Sequence, residues 1–303
     1  MVALGTVQAN KILFPDATVN SPSLTFQGDI TIGLAYDATD DLMLFTNESS
    51  TSVAVDDSGT DGFGHINTYK IPATISDIVG DGGTTVTVTT ETPHGFTVSG
   101  DTFDITGTTS YNVTNATVAS VTSAVIFTFT DAVGSNTTNE TGTLSNLSAI
   151  EIDFGSSYTD YKVKLHDVQS SGADDPLQVQ FRNTAGTLLS GTSYRTVHIE
   201  TGNNGAVTVV NETDQTSGSL TTSVLSAGDG VHGDILIEKP SLANFQNGIS
   251  WTIAVGTDTD SSQRFDGRAY YNSSSNIRYL RLFFSSTDTD TGEFRAYGYT
   301  SLP

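Results

Sequence analysis

One segment near the C-terminus combines side chains that proteins commonly use to bind sugars. It reads RFDGRAYYNSSSN and contains Arg264, Arg268, Tyr270, Tyr271 and Asn272. Guanidinium groups form paired hydrogen bonds to carboxylates or phosphates, and aromatic faces cover the apolar C–H patches of sugars. The segment therefore predicts a loop that binds a glycan. In the alternative interpretation, the tyrosines pack between subunits and the arginines pair with the excess of acidic residues.

A second candidate is a metal site in the segment DTDTGE, where Asp288, Asp290 and Glu293 resemble a fragment of a calcium-binding loop. Calcium takes about six to eight oxygen ligands, and this short turn supplies few of them. We therefore expect no essential metal and no other cofactor. Glycoside cleavage would need two carboxylates that face each other across a sugar. Other acidic pairs occur at positions 40–41, 56–57, 174–175 and 258/260, and solvated hairpin turns account for most of them.

The sequence predicts no catalytic residues, and we expect that the protein is not an enzyme. Its five histidines are scattered singly, at positions 65, 94, 166, 198 and 232. Nucleophilic or zinc catalysis would need a set of partners that no motif supplies. His94, in TPHGF, is predicted to be a turn residue that bonds to the backbone. GDGVHG (228–233) matches G-x-G-x-x-G, but an alternating strand pattern follows it instead of a helix, which predicts a glycine-rich hairpin loop.

Composition and charge exclude several classes of protein. The chain has 303 residues, 36% of them hydrophobic, no Cys and a net charge of -22. Such a field repels phosphate backbones, so we expect no nucleic-acid partner. No apolar run approaches the length of a membrane span, and the N-terminus lacks the pattern of a signal peptide. Only Lys11 and Lys70 are basic before Tyr161, whereas five arginines lie at or after Arg264.

Alternation of apolar and polar residues recurs along the chain, for example in DITIGL, TVTVTT, AIEIDFG and ISWTIAVGT. Gly, Asn and Asp clusters bound most of these runs, which predicts an all-β protein of short strands. Three regions are expected. Residues 1–70 form an N-terminal oligomerising β-segment for attachment and trimerisation, residues 71–148 a small β-barrel or sandwich module, and residues 149–303 a jelly-roll-like β-sandwich at the tip.

Several segments resemble proteins of bacteriophage tail fibres and related virion appendages. TVTVTTETPHGFTVSGDTFDITGTTSYNVTNATVASVTSAVIFTFT is similar to a small β-module of such proteins, although Ser99 is extra and YNVT replaces a more usual Y-N-G. SPSLTFQGDITIGLAYDATDDLMLFT resembles segments of trimeric phage fibres, and GEFRAYGYTS resembles the last strand of fibre and capsid-appendage sandwich domains.

This resemblance implies a structural fibre protein on the phage particle surface that mediates attachment to the host. Its expected partners are two further copies in a homotrimer, other virion proteins of the tail or capsid through the N-terminal region, and a glycan of the host surface. The strand IRYLRLFF, apolar on both faces, also suggests a contact between subunits. A capsid decoration or head-fibre protein is one alternative. A glycan-degrading tailspike is another, but the repeated rungs of its parallel β-helix are missing from the sequence.

Overall fold

The computed structural model describes residues 24–26, 29–37, 42–47, 50–55 and 64–299, with gaps at 98–99, 156–157, 173–174, 203–204, 223–228, 239, 241–247, 257–261 and 272–275. In this part of the chain the regular structure is β-strand, apart from one 3-10 turn at Ala132–Ser135. The all-β prediction is confirmed. No helix among these residues has the length and apolar character needed to cross a membrane.

The strands are β1 Leu24–Phe26, β2 Asp29–Asp37, β3 Leu42–Asn47, β4 Ser50–Val55, β5 Gly64–Ile71, β6 Ala73–Gly80, β7 Thr85–Thr90, β8 Thr102–Thr106, β9 Val113–Ser123, β10 Ile126–Thr130, β11 Glu140–Ser145, β12 Ile150–Asp153, β13 Asp160–Ser170, β14 Leu177–Asn183, β15 Leu188–Leu189, β16 Tyr194–Thr201, β17 Val207–Gln215, β18 Gly218–Ser219, β19 Gly230–Glu238, β20 Gly248–Gly256, β21 Ser262–Tyr271, β22 Ile277–Phe284 and β23 Thr289–Tyr299. The chain divides into two compact units, residues 1–65 and 66–303. In the first unit, β1 to β4 form an antiparallel sheet in chain order.

A closed six-stranded barrel fills most of residues 73–145, with the strand order β10-β7-β6-β11-β8-β9 and with β9 paired to β10. The strands alternate as the sequence predicts, so that Phe103, Phe127 and Phe129 are buried while the intervening Thr and Ser side chains are more exposed. The ring centroids of Phe103 and Phe127 lie 5.1 Å apart in an edge-to-face arrangement. This geometry is favourable for aromatic pairs.

Tyr111 connects the barrel core to the backbone at one end. Its ring is fully buried. Its hydroxyl accepts a hydrogen bond from Gly80 N at 3.0 Å and lies 2.9 Å from the carbonyl oxygens of Asn136 and Thr138, to which it can donate. A buried Tyr needs such partners because an unpaired buried hydroxyl is costly. Tyr111 therefore fixes the segment after β10 against the end of β6.

The rest of the second unit is a two-layer sandwich. The larger sheet has eight strands in the order β17-β16-β21-β20-β19-β13-β23-β5. The smaller sheet has the order β12-β22-β14-β15, and β18 also pairs with β14. The two layers meet closely at Gly218, where an added Cβ would lie 3.0 Å from Ala269 and Val179 side-chain atoms. Consecutive strands β19, β20 and β21 form a meander, so "jelly-roll-like" fits the two-layer architecture better than the strand order.

The barrel is an insertion between strands of this sandwich. Strand β5 precedes the barrel and belongs to the larger sheet, whereas β12 follows the barrel and belongs to the smaller sheet. Inside the barrel, Ala73 near the start pairs with Leu144 near the end. The chain therefore enters and leaves the barrel through neighbouring strands.

The segment IRYLRLFF, which carries apolar residues on both faces, forms strand β22. Leu280 and Leu282 on its inner face are almost fully buried in the sandwich core. On the other face, Tyr279 and Arg281 meet the barrel of the same chain: Tyr279 lies beside Phe96 in a shared cleft, and Arg281 bonds to Asp101. Part of this second face is thus in contact with the same chain, and the homotrimer stays a prediction.

Candidate ligand-binding site

The residues predicted to form a ligand-binding loop lie on strand β21, so the prediction of a loop is wrong for Ser262–Tyr271. Successive side chains of a strand point to opposite faces. Arg264 and Arg268 are therefore exposed on the outer face, and Tyr270, on the same face, is partly buried. Asn272 lies outside the described residues. The set is divided between two faces and is not one site.

Tyr271 faces the sandwich interior, opposite to Tyr270. Its ring packs against the core, with its centroid 4.9 Å from that of the fully buried Tyr194. Tyr271 is thus partly buried against the core, and its role in binding a ligand stays a prediction. The guanidinium group of Arg264 is already paired with a carboxylate, since its Nε and Nη2 atoms donate to Asp266 at 2.7 and 3.0 Å. Arg268 and Tyr270 lie on the outer face of the larger sheet.

The predicted metal residues lie before and within the start of β23. Glu293 forms an ion pair with Arg295. Burial raises the pKa of Asp288, and the negative charge of Asp104 in the barrel adds to this effect. In the described parts of the chain, no three His, Cys, Asp or Glu side chains are grouped so that they could hold a metal ion.

His94 bonds to the backbone, as the sequence predicts. Phe96 N donates to His94 Nδ1 at 2.9 Å, so the ring proton is on Nε2, which lies 3.0 Å from the Ser123 carbonyl oxygen. Burial lowers the pKa of His94 to about 4. The neutral ring therefore ties the turn after β7 to the end of β9. The motif GDGVHG is not a hairpin loop throughout, because its last four residues begin strand β19.

A cleft of about 510 Å³ lies between the barrel and the sandwich, and aromatic side chains form much of its wall. Tyr69, Tyr158 and Tyr279 line it together with Phe96 and Phe154. Tyr158 and Tyr279 are partly exposed, whereas the other three rings are at most 4% exposed. The volume is within the range of small-molecule sites, about 300–1,000 Å³.

Polar groups converge on the same cleft. Asp153 accepts two hydrogen bonds from Arg278, each 2.9 Å long, and this ion pair is partly exposed. The Arg278 guanidinium lies 5.3 Å from the Tyr279 ring centroid, an attractive cation–π arrangement. Burial raises the pKa of Tyr69 to about 12 and also raises the pKa of Tyr279. Both phenols therefore keep their protons near neutral pH and can donate hydrogen bonds.

Next to the cleft, a buried cluster of charged side chains connects the barrel with the sandwich. Glu151 on β12 has a fully buried side chain, and its Oε1 atom lies 2.5 Å from Arg182 Nε and 3.3 Å from Arg281 Nε. Thr97, in the barrel segment after β7, donates a hydrogen bond to the same carboxylate. Arg281 also donates to Asp101 at 2.6 Å. Burial raises the pKa of Glu151, and the positive charge of Arg182 opposes this rise.

Sequence reasoning missed this cleft because its walls come from distant segments. Tyr69 is on β5, Phe96 follows β7, Asp153 and Tyr158 lie at and after β12, and Tyr279 is on β22. The alternation in AIEIDFG even predicts that Glu151 is exposed, whereas Ile150, Glu151 and Ile152 are all buried. A buried carboxylate requires a partner of opposite charge. The contact of Glu151 with arginine therefore emerges only from the assembled structure.

Comparison with known proteins gave no relative. No family model, no curated protein and no solved structure matches this chain. Functional inference therefore depends on the residues of the chain itself.

Proposed function

We propose that the protein is a structural, non-enzymatic fibre or appendage protein of a phage virion, and that it attaches to a saccharide of the host surface through the cleft between barrel and sandwich. The resemblance of three segments to phage fibre proteins supports the first part. The cleft with Tyr158 and Tyr279 at the surface is the single structural observation that carries the second part.

The chemistry of the cleft suits a neutral sugar. Half-exposed aromatic rings can cover the apolar face of a pyranose, and carboxylate, phenol and amide groups can bond to its hydroxyl groups. Asp153 and Asn67 supply such groups beside Tyr158 and Tyr279. The net charge of -22 opposes an anionic glycan. A neutral hexose or N-acetylhexosamine chain is therefore the class of ligand we assign.

Binding can be measured on the full chain by saturation-transfer NMR with neutral oligosaccharides of glucose, galactose, mannose and N-acetylglucosamine. Polygalacturonate serves as an anionic comparison. We expect saturation transfer to at least one neutral series and none to the anionic polymer. Absence of transfer to every neutral series, or transfer to the anionic polymer alone, would reject the saccharide assignment.

A matched pair of variants locates the site. Tyr279→Ala should weaken binding at least tenfold, because it removes a partly exposed ring from the cleft. Tyr270→Ala removes a partly buried Tyr from the outer face of β21 and should leave affinity unchanged. Equal effects of the two substitutions would show that the cleft is not the binding site.

The virion location needs its own test. Density for this chain on phage particles, or labelling with an antibody against it, would distinguish a tail fibre from the alternative of a capsid decoration protein. The sandwich pairs β12–β22, β13–β19 and β19–β20 are antiparallel, whereas a tailspike β-helix is built of parallel strands. This favours the fibre proposal over the tailspike alternative.

A further inference from the structure

Four large apolar side chains on the larger sheet are exposed to solvent. Val197 and Ile199 on β16 are 44% and 46% exposed, and Val207 and Val209 on β17 are 63% and 67% exposed. Among the residues whose side chains the structure describes, these four make up the class of exposed large apolar side chains. We call these four residues the edge surface.

The four side chains form one continuous patch. Ile199 pairs directly with Val209, and Thr201 pairs with Val207. Residues two apart on a strand point to the same face, so Val197, Ile199, Val207 and Val209 all lie on the outer face of the sheet. The intervening His198 points inward and is 1% exposed. Contiguous exposed apolar patches on soluble proteins commonly mark sites of association.

The patch ends at an open strand edge. In the described part of the chain, β17 is the last strand of the eight-stranded sheet and pairs only with β16. An edge strand presents a row of free N–H and C=O groups that can pair with another strand. Proteins usually protect such edges with Lys, Pro or a covering segment. Strand β17 contains neither Lys nor Pro, and its charged residues, Glu212 and Asp214, lie in its second half, away from VTVV at its start.

We propose that a second copy of this chain binds here, with its β17 paired antiparallel to this β17 about a local two-fold axis at Val209. In this register Val209 faces Val209 of the other copy, and Val207 faces Asn211. Glu212 then faces Ala206, so the acidic end of one strand does not meet the acidic end of the other. Cross-strand contacts of this kind cover part of the apolar surface of Val207 and Val209, and the two larger sheets become one continuous sheet.

Charge favours this surface over the rest of the molecule as a contact between copies. The whole chain has only 12 basic residues against 34 acidic ones. Three of the basic residues, Arg195, Arg264 and Arg268, lie on the outer face of β16 and β21 beside the patch, where Asp266 neutralises Arg264. Two copies that approach here therefore meet less like-charge repulsion than they would elsewhere.

The inference does not depend on saccharide binding, and the mass of the full chain in solution tests it. A two-fold contact gives two chains, or six if residues 1–70 also trimerise. The double variant Val207→Thr, Val209→Thr keeps β-branched side chains but removes apolar surface. It should therefore halve the mass of the assembly in solution. Thr208→Ser, on the opposite face of the same strand, is the control and should leave the mass unchanged. A wild-type mass of one or three chains, or a mass unaffected by the double variant, would overturn the proposal.

The register can be tested by crosslinking, because the chain contains no Cys. Val209→Cys would place two thiols opposite each other on paired strands, at a Cα separation of about 4.5–5.5 Å that permits a disulfide. Thr213→Cys would place them about 27 Å apart along the strands, since each residue advances about 3.4 Å. Under mild oxidation we expect covalent pairs of chains from Val209→Cys alone. Neither variant crosslinking, or both crosslinking equally, would refute this pairing.

Discussion

Replacing Glu151 by Gln should lower the free energy of unfolding of residues 66–303 by about 3 kcal/mol. Gln has nearly the same shape as Glu, but it leaves Arg182 and Arg281 without their shared counter-ion. The side chains of these arginines are only 11% and 15% exposed, so water replaces the carboxylate poorly. Removing one partner of a buried ion pair costs about 3–5 kcal/mol. We take the lower end because Arg281 keeps Asp101 at 2.6 Å.

The loss should arise from the arginines that remain. Burial already disfavours the ionised form of Glu151, as its raised pKa indicates, so the carboxylate itself gains little from folding. Replacing a whole buried ion pair by apolar groups of similar volume is often neutral. The double variant Glu151→Gln, Arg182→Met should therefore recover most of the stability that the single variant loses.

Urea denaturation followed by tryptophan fluorescence can measure this effect. Trp251 is the only Trp of the chain, lies on β20 in the sandwich and is 3% exposed. Asp266→Asn is a suitable control, since its ion pair with Arg264 is 39–62% exposed and should be worth less than about 1 kcal/mol. The reasoning about this charged cluster is wrong if the free energy of unfolding of Glu151→Gln lies within about 0.5 kcal/mol of the wild-type value. It is also wrong if the double variant loses as much stability as Glu151→Gln and Arg182→Met lose together.

Three further predictions concern stability. Tyr111→Phe should cost about 1–3 kcal/mol, because Gly80 N loses its buried acceptor, and hydrogen exchange at the Gly80 amide should accelerate. His94 has a folded pKa of about 4 against an ordinary value of 6.5, so the folded state binds fewer protons and stability should fall as pH drops from 6.5 to 4. The loss attributable to His94 is about 3 kcal/mol, and His94→Gln should remove it from the pH profile of urea midpoints; identical profiles would contradict the assignment. Tyr271→Ala should lower the thermal midpoint through a loss of about 2 kcal/mol, below the cost for a fully buried aromatic ring, whereas the same change at outward-facing Tyr270 should cost much less, and the reverse order would contradict the orientation of β21.

The strands were predictable because alternation is a local property. Successive side chains of a strand point to opposite faces, so Val86 and Val88 in TVTVTT point inward while the Thr residues beside them point outward. This pattern can be recognised without knowing any distant contact. The closed barrel and the two sheets depend on which strands pair. Pairs such as β13 with β23, or β16 with β21, join segments that are far apart in the chain. Neither segment alone indicates which strand it pairs with.

The prediction that residues 264–276 form a loop was wrong for the part that lies on strand β21, which includes Gly267. An added Cβ at this position would lie 2.5 Å from side-chain atoms of both His198 and Trp251. Glycine is needed here because the neighbouring strands carry bulky rings, and only the assembled sheet shows this. The cleft was missed for the same kind of reason, because its residues meet only through long-range packing.

The insertion of the barrel between β5 and β12 has a consequence for how such a chain could evolve. The barrel begins and ends on paired strands, so its two ends are separated by roughly 5 Å at Ala73 and Leu144. A gene segment that encodes residues 73–145 could be exchanged for another whose ends are equally close without altering the path of the sandwich strands. The exchanged module would still face Tyr279 and Arg281. Recombination at these two junctions would therefore replace one wall of the cleft and keep the other, which is a direct route to new binding specificity.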